Sequence, residues 1–507
     1  MYVLGFVADL QVVLKASAIH NYHLKARLVG NASPTLYSIV VRAKRHKGFG
    51  TDGGVGHMAE REVFTAEDAA LEVGRLERAP STSFWSPREG FNFKLIIPPT
   101  VYPPREDTNL LAKRIVALGP GRGRTFLEIG SGSGALCVLA SSMGWKVSGC
   151  DINPFAVAAT RGNLENNGFT GEIREGGVGP EPFPFEKSYD LIIWNLPYIV
   201  PQEIEQVLGP MEEAALIDTD DQGLGNRFLC SITSNHLLAP KGRVLALGRE
   251  NSVVDTKYLA HRVWDEIEFE DGERLELTCY WRPFEGATST FLESTGSTNE
   301  DLFAKTGIGT HISTSWQTAG RGRRGRTWTS IEGSYAGSWI VAEGSEINPG
   351  HLQLSGGLAV LKSLNKSELR LKWPNDILIG KRKVCGVLAE GRTFEDGTRV
   401  VLGFGINLKS GEHNVDVEIA TLEEIINIEH NEFDGRLNCE LASLLESLDD
   451  IPPIRYSEIR SEVLKEMRRM GKPMFKGEIY DDFNLNNSGE LILGTNIVDD
   501  GEEISWN

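Results

Sequence analysis

Paired cysteines are missing from this chain. Cys137, Cys150, Cys230, Cys279, Cys385 and Cys439 are scattered over 507 residues with no C-x-x-C pair. That spacing excludes a disulfide framework and a cysteine zinc site of ordinary pattern, so no metal-ligand set is expected from it. It fits a reducing, cytoplasmic setting. No apolar run reaches the roughly 20 residues that cross a bilayer, and no membrane partner is expected. The apolar start, Met1 to Val13, is interrupted by Asp9 and has no basic region before it, unlike a signal peptide. Positive charge is scarce too: 52 Lys and Arg stand against 70 Asp and Glu, a formal net charge of −18. Phosphates would repel such a chain, so DNA is not an expected partner, and local arginine clusters read as sites for small anions. Internal repeats and long low-complexity tracts are absent as well.

What is present is a globular composition, 40% hydrophobic and 24% charged, over a length that suits roughly two to four domains. Residues 1–90 form a first region of open role. Tyr37 to Val41 reads as a strand, and the five glycines between His46 and His57 lack the lysine-serine ending of a phosphate loop. Residues 91–283 alternate strand and helix. Strands are expected at Thr125–Ile129, Lys146–Cys150, Asp190–Trp194 and Arg243–Leu247, with a helix at Ala135–Met143, which predicts a parallel α/β sheet. A junction at Glu285-Gly286-Ala287 leads to a second, α+β unit over 287–430. The remainder, 431–507, holds a charged helix from Tyr456 to Met470. Short strands follow, broken by Asn487-Ser488-Gly489 and Asp499-Asp500-Gly501, the pattern of a small β-barrel.

Two motif sets carry chemistry. The first is Glu128-Ile129-Gly130-Ser131-Gly132-Ser133-Gly134, between a strand and a helix, where glycines permit a tight turn and close ligand approach. Asp151 ends the next strand, where a carboxylate can accept both hydroxyls of a ribose. An acidic Glu128 would repel a pyrophosphate yet tolerate the amino-acid part of a sulfonium nucleoside. Asn195-Leu196-Pro197-Tyr198 follows a third strand. An asparagine side chain with a backbone carbonyl can accept both hydrogens of a planar NH2 group and turn its nitrogen towards a methyl donor, while Tyr198 stacks on it.

Residues 91–283 resemble a Rossmann-like class I S-adenosylmethionine-dependent methyltransferase of the HemK type, which methylates a glutamine amide of peptide chain release factors. The segment from Val101 to Thr108, with Tyr102, Pro104, Glu106, Asp107 and Thr108, resembles the Y-x-P-x-E-D-T element of the archaeal and eukaryotic branch. The resemblance implies a cofactor pocket lined by Thr108, Asp107, Glu128, Gly130, Gly132 and Asp151, with Asn195, Pro197 and Tyr198 on the target amide. The family usually has N-P-P-Y where this chain has Leu196, and N-L-P-Y also occurs in rRNA adenine dimethyltransferases. Glu175-Gly176-Gly177-Val178 stands where the family places an acid beside the adenine. An rRNA adenine target and a non-catalytic binding module remain open.

The second set runs Ser297-Thr298-Asn299, then Gln317 with Gly320-Arg321-Gly322-Arg323-Arg324-Gly325-Arg326-Thr327-Trp328. Lys372-Trp373-Pro374-Asn375-Asp376, Lys383-Val384-Cys385-Gly386 and Gly403-Phe404-Gly405-Ile406-Asn407 follow. Glycines beside arginines let backbone and guanidinium forks close on phosphate or carboxylate oxygens. This ordered set resembles a biotin–[acetyl-CoA-carboxylase] ligase, over residues 290–507. The resemblance implies ATP, biotin and Mg2+ as ligands and a biotin carboxyl carrier protein domain as partner. It makes Lys383 the catalytic lysine, and folds Arg321 and Arg323 over biotin and phosphates. Trp328 would flank the adenine, Asn375 with Asp376 would organise magnesium, and Asp376 would position or deprotonate the attacking amine. Arg324 and Arg326 read as solvated or phosphate-steering. A lipoate or octanoate ligase is the alternative of the same fold.

Overall fold

The computed structural model describes residues 78–179, 182–197, 218, 223–250, 252–253, 256, 259–269, 272–345, 347–395, 397–411 and 419–507. The expected strand at Tyr37–Val41, the glycine stretch at 46–57 and Tyr198 lie outside them. By its contacts the chain divides into two units, Met1–Asp255 with Val263–Cys279, and Thr256–Arg262 with Tyr280–Asn507.

The first unit opens with a hairpin of β1 (Ser81–Trp85) and β2 (Phe93–Ile97), antiparallel across residue 90. Then come α1 (Glu106–Ala117), β3 (Thr125–Ile129), α2 (Ala135–Ser142), β4 (Lys146–Asp151), α3 (Pro154–Asn166), β5 (Glu172–Glu175) and β6 (Tyr189–Asn195). After them run α4 (Leu224–Ser234), β7 (Leu238–Arg249), β8 (Ala260–Glu268) and β9 (Arg274–Trp281). The seven strands β3 to β9 form one sheet of order β5-β4-β3-β6-β7-β9-β8. From β5 through β7 the neighbours are parallel. The expected parallel α/β sheet is therefore present, because the apolar runs of β3 and β6 are buried on both faces. The strand order reverses at β3, with β4 on one side and β6 on the other. Ligands of open parallel sheets sit at such a switch point, beyond the carboxyl ends of the strands. The glycine turn, Asp151 and Asn195 all lie at those ends. Asn163 on α3 ties the hairpin down, accepting from Ile96 N at 2.7 Å and donating to Ile96 O at 2.9 Å.

The second unit holds β10 (Ser289–Leu292), α5 (Thr298–Phe303), β11 (His311–Thr314), β12 (Gly320–Arg321), β13 (Thr327–Trp328), β14 (Ser334–Gly344) and α6 (Pro349–Leu364). It continues with β15 (Leu369–Lys372), β16 (Asp376–Ile379), β17 (Arg382–Phe394), β18 (Gly397–Asn407), α7 (His430–Leu445) and α8 (Tyr456–Arg468). Its main sheet has the order β10-β11-β14-β18-β17-β16-β15, antiparallel except for β10 with β11. Side chains alternate between the faces of a strand, and β14 uses both. Tyr335 and Trp339 point to α7, where Tyr335 Oη donates to Asp434 at 2.6 Å and Trp339 Nε1 to Asn438 at 2.8 Å. Ser338 points the other way, to Thr298 and Asn299 of α5.

The chain's last stretch contributes β19 (Pro473–Phe475), β20 (Glu478–Ile479), β21 (Asn484–Leu485), β22 (Leu491–Leu493), β23 (Asn496–Val498) and β24 (Ile504–Trp506). They make two three-stranded sheets, β20-β19-β24 and β21-β22-β23, around buried Phe475, Leu485, Leu491, Leu493, Val498 and Ile504. Among the described residues no helix is long and apolar enough to cross a membrane.

Candidate active sites

In the second unit the motifs converge on the α5 face of the sheet. Ser297 is buried and precedes α5 as its cap. Gln317 accepts from Thr298 N at 2.8 Å and Thr298 Oγ1 at 3.1 Å, while Ser338 bridges Thr298 and Asn299. Asn299 Nδ2 donates to Glu390 at 2.7 Å. Ser, Thr, Asn and Gln thus form a buried polar lattice whose members fill one another's hydrogen bonds, the form in which a polar network is stable under a sheet.

The strand glycines explain how the tryptophan fits. A Cβ on Gly405 would lie 2.3 Å from the Trp328 ring, and one on Gly386, its partner across β17 and β18, would lie 3.3 Å from it. A Cβ on Gly403 would lie 2.1 Å from Asn299 Oδ1. Gly386, Gly403 and Gly405 are therefore a floor on which Asn299 and the indole rest. Trp328 Nε1 is buried without an acceptor in the protein.

Lys383 reaches this floor through a bulge. Ile377 pairs with Cys385, but Leu378 pairs with Lys383, leaving Val384 extra on β17. Bulges re-aim the side chains beside them. Lys383 Nζ lies 2.6 Å from Asp376 Oδ1, an ion pair off hydrogen-bond geometry, and 5.7 Å from the Trp328 ring centroid. Lys372 stands opposite Asp376 in the β15–β16 register. Asn375 donates to Val387 O at 3.0 Å.

The arginine loop is a ribbon of β12 and β13, with Gly320 opposite Trp328 and Gly322 N donating to Arg326 O at 2.7 Å. Arg321 is paired with Glu300 and, at 3.4 Å, with Glu390. Arg323 donates to Asp499 O at 3.3 Å, Arg324 pairs with Asp499 at 3.0 Å and Asp500 at 2.9 Å, and Arg326 pairs with Glu502 at 2.5 Å. Arg324 and Arg326 are exposed, as expected of solvated arginines, and each is also ion-paired with a carboxylate. The acids that hold them lie about 175 residues away in sequence. Asn407, expected at the ligand, is buried and donates its Nδ2 to Ala420 O at 3.1 Å.

In the first unit, Gly130, Gly132 and Gly134 all have positive φ, which side chains rarely adopt. Asp151 holds this turn: Oδ2 accepts from Gly132 N at 2.9 Å and Oδ1 from Asn153 N at 2.8 Å. The Ile152 backbone N–H also acts on this carboxylate, and of its about four acceptor positions about one then remains for a hydroxyl donor. Burial raises the Asp151 carboxyl to about 6, against the backbone hydrogen bonds that lower it. Glu128 is buried beneath the glycine turn, close enough to Asp151 to feel its charge. Oε2 of Glu128 accepts from Cys137 N at 3.1 Å and Cys137 Sγ at 2.9 Å at the start of α2. Burial pushes its carboxyl up to about 8, against the hydrogen bonds from Cys137 that lower it.

Asn195, at the end of β6, donates Nδ2 to Asp107 Oδ2 at 2.8 Å. Asp107 is buried and also accepts from Tyr102 Oη at 3.0 Å, Thr108 N at 2.6 Å and Thr108 Oγ1 at 3.1 Å. Asn195 Oδ1 is buried with no partner. Leu196 and Pro197 beyond it are buried. Asp107, expected beside the cofactor, holds the asparagine with its carboxylate.

Family comparisons match two separate stretches. Residues 289–407 match the Biotin/lipoate A/B protein ligase family, and residues 105–215 match the Methyltransferase small domain. Both kinds of segment are joined in this one chain. The ligase segment is similar to a biotin–[acetyl-CoA-carboxylase] ligase of Mycobacterium tuberculosis, 36% identical over 149 residues, 26% of this chain and 53% of the relative. It is also similar to the bifunctional ligase/repressor BirA of Escherichia coli, 34% identical over 32% of this chain and 54% of the relative. The chain thus spans about half the length of these two relatives. The methyltransferase segment is similar to a release factor glutamine methyltransferase of Rhodospirillum rubrum, 32% identical over 39% of this chain and 63% of the relative.

Within the ligase segment, the matched stretch contains every polar motif from Ser297 to Asn407, but ends before Asp499, Asp500 and Glu502. No local pattern in the sequence announces these acids as partners of the loop. Within the methyltransferase segment, the Asp107–Asn195 contact was hidden in the same way, since it spans 88 positions.

Proposed function

We propose that the ligase segment activates biotin with ATP and passes it to a lysine of a biotin carboxyl carrier protein domain. The observation that carries this reading is Lys383, held by Asp376 and the bulge against the Trp328 face. When bound, ATP supplies the activated phosphoanhydride from which a biotinyl adenylate forms with loss of pyrophosphate. This chain's own contribution is a fixed cation, Lys383 Nζ, near charge that grows in the transition state. Arg321 and Arg323 add cations at the loop, and Trp328 offers an indole face and a free Nε1 donor for the nucleotide. Asp376 orients Lys383. Magnesium brought with ATP would be held mainly by phosphate oxygens, with Asp376, already paired with Lys383, as the one carboxylate beside them. We read the two terminal sheets as a small barrel-like domain that pins the arginine loop.

We further propose that the methyltransferase segment transfers a methyl group from S-adenosylmethionine to a glutamine amide of a release factor. The orphaned Asn195 Oδ1 carries that reading, because a buried acceptor without a partner costs about 1–3 kcal/mol and is relieved by an NH2 donor. Asp151 would accept a ribose hydroxyl, with Gly130, Gly132 and Thr108 around the cofactor. Transfer would form an N–CH3 bond as the sulfonium's S–CH3 bond breaks, leaving a neutral thioether, and the displaced amide proton would pass to water.

The pH dependence of cofactor binding follows from Asp151. Hydroxyl donors need the ionised carboxylate, which prevails above about 6. Affinity for S-adenosylmethionine is expected to weaken about tenfold as pH falls from 7 to 5, and Asp151→Asn should flatten that profile. Calorimetric titration across the range checks it; a flat wild-type profile counts against the ribose role.

A pair of assays tests the functions themselves. Biotin, ATP and apo carrier domain should give one biotin mass on one lysine, read by mass spectrometry. A lipoyl product formed in preference would favour the other branch of the fold. Labelled S-adenosylmethionine should mark release factor; label in rRNA instead would overturn the glutamine target.

A further inference from the structure

We infer that Asp107 is a positioning residue which fixes the polarity of the Asn195 side chain and so makes the pocket a reader of hydrogen-bond donors. An asparagine amide can present either end, and its two ends have nearly the same shape. Four donor contacts surround Asp107: Asn195 Nδ2 at 2.8 Å and Tyr102 Oη at 3.0 Å on Oδ2, Thr108 N at 2.6 Å and Thr108 Oγ1 at 3.1 Å on Oδ1. A carboxylate accepts and does not donate. The Asn195 NH2 must therefore face Asp107, and Oδ1 must face away from it. The buried, partnerless Oδ1 is the result. A flipped amide would set oxygen against carboxylate and present NH2 to the pocket, a site for an acceptor such as a carboxylate rather than for a primary amide.

Tyr102 and Thr108 hold Asp107 from both sides, so the Y-x-P-x-E-D-T element acts on the acceptor side of the reaction through Asn195. Its backbone meanwhile borders the glycine turn: the Tyr102 carbonyl lies 3.6 Å from where a Cβ on Gly132 would sit. One short segment thus touches the cofactor turn with its backbone and sets the acceptor-reading amide with its side chains. This inference rests on the methyl-transfer reading for its functional meaning, but the contact itself can be read without any acceptor.

The test uses the full chain with Asp107→Asn, which keeps the shape and removes the obligatory acceptor, and Asp107→Ala beside it. In protein labelled with 15N asparagine, the Asn195 side-chain amide should give two resolved, exchange-protected protons. In both variants that protection should fall at least tenfold, and an unchanged signal overturns the inference. With S-adenosylmethionine and a glutamine-containing release-factor peptide, Asp107→Asn should lower kcat at least tenfold while cofactor affinity stays within twofold. In an Asn195→Ala background the same change should have no further effect. Full additivity of the two losses would make Asp107 a merely structural residue and overturn the inference. If the wild type binds cofactor but methylates neither release factor nor rRNA, the methyl-transfer reading falls, and the amide signal still decides the role of Asp107.

Discussion

Replacing Lys383 by alanine is expected to lower the rate of biotinyl-adenylate formation by a factor on the order of a hundred to a thousand, the cost of about 3 kcal/mol of lost transition-state stabilisation. The lysine is fixed before any ligand arrives: a bulge turns it, Asp376 holds it at 2.6 Å, and its ammonium lies 5.7 Å from the Trp328 centroid. A preset cation costs no reorganisation when charge develops, which is why its loss should appear in kcat more than in biotin affinity. Lys381, exposed two positions earlier, is the control, and Lys381→Ala should stay within twofold. Pyrophosphate release with saturating biotin measures the effect. A Lys383→Ala protein within threefold of wild type would remove the lysine from the chemistry.

The second large effect belongs to the other segment. Asn195→Ala should lower methyl transfer by a factor on the order of a hundred or more, since a single preorganised polar contact at a reacting group carries about that much. It should leave S-adenosylmethionine affinity nearly unchanged, because Asp151 and the glycine turn hold the cofactor side. Biotin transfer should be untouched, as methyl transfer should be by Lys383→Ala. The two motif sets share no residue, so each variant serves as the other's folding control. Loss of both activities in either variant would sink the independence of the segments.

Much of this architecture was legible from local pattern. The strands at 125–129, 146–151 and 189–195 follow from short apolar runs bounded by glycine, aspartate and asparagine, and the charged helix at 456–468 from its periodicity. Motif order also brought out the ligase face, because each motif sits on one strand or turn. What escaped depends on contacts between distant residues. Asp107 lies in a stretch read as cofactor lining, yet its partner is 88 positions on. Arg324 and Arg326 are exposed, as a solvated reading expects, but only the folded chain brings Asp499, Asp500 and Glu502 beside them. Glu128 reads as an ordinary acid in the sequence, and only the fold shows the burial that pushes its carboxyl up.

The glycine floor also couples two parts of the ligase segment that the sequence keeps apart. Gly386 and Gly405 face each other across β17 and β18, so at that point the ladder has no side chains of its own to shield it. Trp328 supplies the missing cover from a separate ribbon. Sheet and loop therefore share one free energy. Whatever presses the loop down should slow hydrogen exchange at the backbone amides around 386 and 405, and whatever loosens those strands should release the loop by the same factor. The two glycines make the sheet itself a recorder of whether the arginine ribbon is closed.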